Sequence, residues 1–142
     1  MLAELKALLA DPALQDCDPP PAVDYALFFD GNTDEESLAP NQWGYGRPPM
    51  AELHARFAQI ARRPDVERVL VGLHYDWDDP LFAEGFPPAE NVHIYTTASA
   101  TEAEQWMDGL EADGVIEGWP YGKPCNAPEP SAGYAVLSVC WD

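Results

Sequence analysis

Positive charge is what this chain has least of. Seven Lys and Arg stand against 25 Asp and Glu in 142 residues, a formal net charge of −18 at pH 7, and the isoelectric point falls near 4.1. A domain so charged repels phosphate backbones and anionic lipid. That excludes nucleic acid and membrane surfaces as electrostatic partners and favours a basic protein surface. Long apolar runs are missing as well. No segment approaches the roughly 18 apolar residues that a spanning helix needs. The stretch from Met1 to Ala10 carries Glu4 and Lys6 without the basic n-region of a signal peptide.

Cysteine is scarce and oddly placed. Cys17, Cys125 and Cys140 are odd in number and irregular in spacing, which argues against a disulfide framework and for a reducing compartment, so the cytoplasm is the expected location. Also absent are the signatures of covalent and phosphoryl chemistry. No Ser or Cys sits in a nucleophile elbow, and no Gly-rich loop leads a strand into a helix carrying a phosphate lysine. The residues supply no catalytic assignment and point to no cofactor.

What is present is enough for a core. Hydrophobic residues make up 46%, with five Trp, six Tyr and five Phe, too rich a content for a disordered acidic tail. The length fits one domain over 1–142, with a short N-terminal helix and Pro-rich linker over 1–18 and an α+β core over 23–142. Leu2, Leu5, Leu8 and Leu9 form the stripe of the opening helix. Val23, Tyr25, Leu27 and Phe29 alternate as a first strand that ends at Asp30-Gly31-Asn32. After Pro48-Pro49, Met50, Leu53, Phe57, Ile60 and Ala61 recur at helical spacing.

Between Val66 and Trp77 the odd positions Val69, Val71, Leu73, Tyr75 and Trp77 are apolar, the clearest strand pattern in the chain. Val92 and Ile94 mark a third strand. Overlapping capping boxes, Ser99 with Glu102 and Thr101 with Glu104, open a helix with the stripe Ala103, Trp106, Met107 and Leu110. Tyr134 to Trp141 is the last strand, and Val115-Ile116 either adds a short strand or caps the core. Without the opening helix, the order predicts a ferredoxin-like split βαββαβ fold: a four-stranded antiparallel sheet with two helices on one face.

In that fold the second sheet face carries Phe28, Leu70, His74, His93, Tyr95 and Tyr134 among polar neighbours, too apolar a mixture for solvent. The opening helix, a second copy of the same face or a partner would have to cover it. His74, His93 and Asp76 are proper ligand types for zinc or iron. Cross-strand register decides whether they meet, and two half-exposed histidines bonded to neighbours is the plainer reading. Asp30-Gly31-Asn32-Thr33-Asp34 begins like a calcium loop, but Glu35 stands where the turn glycine belongs and Asn41 where the bidentate Glu belongs, leaving an Asx-type turn.

Two segments resemble each other, Trp43-Gly44-Tyr45-Gly46-Arg47-Pro48 and Trp119-Pro120-Tyr121-Gly122-Lys123-Pro124. Such loops pack their rings over a core edge with the cation on a ring or a carboxylate, or else use it to orient an anionic group. The leading functional expectation is an acidic cytosolic binding protein that neutralises a basic protein partner, most concretely an immunity protein for a bacterial toxin. Its contact residues would be Asp34, Glu35, Glu36, Asp76, Asp78 and Asp79, with Trp43, Tyr45 and Trp77 as anchors. The alternative is a small-molecule-binding protein or enzyme. In it two open faces pair into a dimeric α+β barrel around Phe28, Leu70, His74, His93, Tyr95 and Tyr134, which requires a homodimer.

Overall fold

Five valines, one from each strand, lie in a row across the sheet: Val23, Val71, Val92, Val139 and Val115 are successive cross-strand partners, and all are buried. A computed structural model describes residues 2–141. Its strands are β1 (Ala22–Asp24), β2 (Val66–Leu73), β3 (Ala89–Thr96), β4 (Gly114–Glu117) and β5 (Ala135–Cys140). They are joined in the order β1-β2-β3-β5-β4, and each neighbouring pair is antiparallel. The helices are α1 (Leu2–Leu9), α2 (Tyr25–Phe29), α3 (Met50–Ala61) and α4 (Ala100–Trp106). All four supply side chains to the cluster over the valine row, among them Leu5, Phe28, Phe57 and Ala103.

The class is α+β, as expected, but the ferredoxin-like arrangement is not formed. That fold has four strands and two helices around a parallel central pair; here the described residues form five strands and four α-helices, with antiparallel neighbours throughout the sheet. Two local events cause the difference. Asp24 accepts a hydrogen bond from the Ala26 N–H at 3.1 Å and so caps a helix. The first strand therefore stops after three residues, and Tyr25–Phe29 coils, driving Phe28 and Phe29 into the core. β1 is left as a short edge strand on β2. At the other side Val115-Ile116 forms the extra strand, because β4 pairs with β5 over four residues.

The remaining elements start where their sequence signals place them, but two are shorter than read: β2 stops at Leu73, leaving Tyr75 and Trp77 in the following turn, and α4 ends at Trp106, before Met107 and Leu110. The Ser99–Glu102 capping box is formed, with the Glu102 N–H donating to Ser99 Oγ at 3.1 Å. α3 buries Met50, Leu53, Phe57 and Ile60, and α1 buries Leu5 and Leu9 in the same cluster as α3. Among the described residues no helix is long and apolar enough to cross a membrane.

The second sheet face is closed by the chain itself. Leu70, Tyr95, Val136 and Ala22 pack with Ala127 and against Trp119, from the irregular segment 118–133 that precedes β5. The opening helix is not the cover: Leu5 and Leu9 of α1 lie in the core cluster with α3. Asn126 fixes the segment to the sheet edge: its side chain accepts from the Ala22 N–H at 3.0 Å and donates to the Ala22 carbonyl at 2.7 Å, as a neighbouring strand would. The Tyr95 hydroxyl donates to the Pro128 carbonyl at 2.6 Å. Cys17 and Cys125 are bridged across 108 residues, with Cα atoms 5.7 Å apart. This corrects the expectation of unpaired cysteines, and only Cys140 is unbridged.

Candidate functional site

The acidic loops that follow α2 and β2 converge at one end of the sheet. Asn32, buried, organises the first: its amide donates to the Phe28 carbonyl and to Ser37 Oγ, both at 3.1 Å, and its Oδ1 accepts from the Asp34 N–H at 2.9 Å. Asp34 Oδ1 accepts in turn from the Glu36 N–H at 3.0 Å. These are Asx turns, so the oxygens hold the backbone rather than converge on a calcium-sized point. The loop is then pinned to β3 by the Ala89 N–H donating to the Ser37 carbonyl at 2.7 Å.

The second loop leaves β2 through His74, whose N–H donates to the Pro88 carbonyl at 2.9 Å. His74 Nδ1 accepts from the Asp76 N–H at 3.0 Å, so in the neutral ring the proton sits on Nε2. Asp79 caps the turn Pro80–Phe82 by accepting from the Leu81 N–H at 2.9 Å. Lys6 of α1 donates to the Phe82 carbonyl at 2.9 Å, and burial lowers its pKa.

Between the two loops lies a cleft of about 440 Å³. Asp34, Glu36 and Asp76 line it together with His74 and with Leu81, Phe82, Phe86 and two prolines, and no Lys or Arg is among its lining residues. Leu81 is 81% exposed in the isolated chain. A side chain that large and apolar, standing among carboxylates, is the surface a partner would bury.

The other residues expected to contact a partner are distributed differently. Asp78 and Asp79, with Trp77, line a neighbouring cavity of about 160 Å³ that shares Phe82 as a wall. Trp77 is buried, its ring belonging to the core cluster. Glu35 turns inward to the buried guanidinium of Arg47, which also donates to the Glu35 and Leu38 carbonyls. Arg47 lies 4.6 Å from the Trp43 ring centroid, and Lys123 pairs with Glu129 at 3.5 Å. The two look-alike segments thus spend their cations internally. Tyr45, 83% exposed, stays on the surface beyond the cleft.

The residues of the alternative open-face pocket do not share one site. Phe28 is in the core cluster under the helices, His74 lines the acidic cleft, and Leu70 and Tyr95 lie under Trp119. Tyr134 is half-buried before β5. His93 is paired in register with Leu70 and Ser138, not with His74. Burial of the Tyr95 phenol raises its pKa to about 12, and burial of His93 lowers its pKa to about 4. Among the described residues no group of three or more His, Cys, Asp or Glu side chains could hold a metal ion.

Sequence reasoning located the carboxylates of the cleft and missed its floor. The available signal was Leu81, Phe82 and Phe86 within a loop full of Pro and Gly, where no strand or helix period calls for apolar residues. Fold and site together define an acidic α+β domain with a carboxylate-rimmed apolar cleft at one end of a five-stranded antiparallel sheet. The chain belongs to the uncharacterized protein YfbO family, whose model matches residues 2–139. No curated protein and no solved structure matches it.

Proposed function

We propose that this protein binds a basic protein partner, seating an apolar side chain flanked by cations in the cleft between Asp34, Glu36 and Asp76. The observation that carries the reading is the lining of that cleft, exposed Leu81 and half-buried Phe82 ringed by carboxylates with no Lys or Arg among them. Burying the apolar floor supplies affinity, while the surrounding negative field supplies steering and discrimination. The most concrete form of the reading is an immunity protein that captures a cationic bacterial toxin, for which fast association is an advantage. No second reading is carried forward: the sheet face that a dimeric barrel needs is occupied by segment 118–133.

The test is a triple reversal, D34K/E36K/D76K, against wild type in affinity capture from the source organism, followed by binding kinetics with the purified captured protein. The expected result is a fall in association rate of about tenfold or more at low salt, with the salt dependence largely abolished. Equal rates and equal salt dependence would remove the cleft from the interface.

The cytoplasmic location goes with the inhibitor reading, since a producing cell must hold the inhibitor where the toxin is made. The Cys17–Cys125 bridge weighs on the other side, because cytosolic thiols are kept reduced. Alkylation of the protein as isolated from its host, before any reductant, decides between them: two protected cysteines place it in an oxidising compartment, three reactive thiols in the cytoplasm.

A further inference from the structure

His93 is 4% exposed, and its two ring nitrogens have different surroundings. Nδ1 lies 2.7 Å from Ser138 Oγ, and Ser138 Oγ lies 2.7 Å from the Gly118 carbonyl. A carbonyl only accepts, so the Ser138 proton points to Gly118, and Ser138 must accept from His93 Nδ1–H. That relay assigns the tautomer: Nε2 carries a lone pair. Nε2 has no hydrogen-bond partner among the described residues. It faces Gly72, where a Cβ would stand only 2.7 Å away. The space left by that absent side chain belongs to a cleft of about 20 Å³, room for one water-sized group.

One carboxylate and no cation border this space. Glu90 contributes a carboxylate, Asn91 an amide and Tyr121 a phenol, and the remaining walls are largely proline rings, with no cation lining the cleft. The charge of Glu90 is close enough to raise the pKa of Tyr121. Asn91 donates its amide to Cys140 Sγ at 3.4 Å, which leaves its oxygen as an acceptor. We infer that the His93 cleft is a binding site for a primary ammonium group, which donates to His93 Nε2 and sits beside the Glu90 carboxylate while its alkyl stem lies against the prolines. An anion is repelled, and a quaternary ammonium has no N–H to give. The site is separate from the acidic cleft and does not depend on its partner. Its ligand is either a small free amine or the lysine tip of a protein.

The test follows the His93 imidazole nitrogens in ¹⁵N-labelled protein at neutral pH during titration with methylammonium, with tetramethylammonium as control. The expected result is a saturable shift of Nε2 with methylammonium and none with the control. Gly72→Ala, folded as judged by the spectrum of the other amides, is expected to weaken the response at least about tenfold, the worth of one charge-assisted hydrogen bond. A lysine model amide that binds more tightly than methylammonium identifies a protein side chain as the ligand, and equal binding identifies a free amine. A response to both cations alike, no saturable response to methylammonium, or an undiminished response in folded Gly72→Ala would overturn the inference. The first two outcomes come from unaltered protein, so they stand even if the variant does not fold.

Discussion

Acidification should destabilise this protein through one imidazole. Burial lowers the pKa of His93 to about 4 from the ordinary 6.5, so between these values the unfolded chain binds a proton that the folded chain refuses. The contribution to stability is fully present above pH 6.5, is lost as pH falls through the window, and levels off below about 4. The physical reason is visible in the packing. The ring is held between Ser138 and Trp119, whose centroid is 4.7 Å away, and a cleft with room for about one water-sized group cannot solvate an imidazolium as bulk water does. Two pH units of the window lie between 6.5 and 4.5, which corresponds to a loss of about 2.5 kcal/mol. The assay is urea unfolding at several pH values for wild type and His93→Asn, which keeps a donor toward Ser138 and removes the titration. Carboxylates titrate in both proteins and cancel in the comparison. The variant is expected to be less stable at pH 7 and to lose about 2.5 kcal/mol less than wild type on going to pH 4.5. Parallel pH curves would refute a neutral, buried His93.

Removing the Glu35 carboxylate strands the buried Arg47 charge, so Glu35→Ala is expected to cost about 3–5 kcal/mol in chemical denaturation. The neighbouring Glu36→Ala should stay within about 0.5 kcal/mol, because that residue is exposed. Opening the Cys17–Cys125 bridge, which closes a loop of 108 residues, should lower stability by up to about 4.7 kcal/mol on a chain-entropy basis, read from urea midpoints with and without reductant. Asn126→Ala deletes both bonds to Ala22. It should cost about 1–3 kcal/mol, with faster amide exchange in segment 118–133 than elsewhere in the sheet.

Where a segment was long and periodic, local pattern and final structure agree. α3, β3 and β5 are examples, as is β2 as far as Leu73, and α4 adds a capping box that fixes its start. The failures are short. From Val23 to Phe29 a strand and a helix both place apolar residues inward, and seven residues do not separate the two periods; a single Asp24 cap tips the balance. Val115 and Ile116 become a strand only because β5 offers an unpaired edge, a tertiary fact. The cover over Leu70 and Tyr95 is the least legible part. Segment 118–133 has no period, and an odd cysteine count concealed the pair that staples it. For the cleft, Asp34, Glu36 and Asp76 were readable as acidic loop residues, whereas the inward turn of Glu35 depends on Arg47 twelve residues away.

The fold ties most of the cations to groups of the same chain. Lys6 is tied to the Phe82 carbonyl, Arg47 is buried against Glu35, and Arg56 donates to the carbonyls of Trp106 and Asp108 at the end of α4. Arg63 pairs with Asp65 and stacks over Trp106, Arg68 lies over Tyr95, and Lys123 pairs with Glu129. Six of the seven cations counted in the sequence are therefore held in contacts within the chain, and none of the seven lines the acidic cleft. An acidity selected only for solubility would place its carboxylates over polar surface and would keep large apolar groups covered. Asp34, Glu36 and Asp76 stand instead around Leu81, Phe82 and Phe86. Leu81 is exposed there, while Phe82 and Phe86 are half-buried, so the cleft offers a partly exposed apolar surface with a negative border, the combination on which the proposed binding of a basic partner rests.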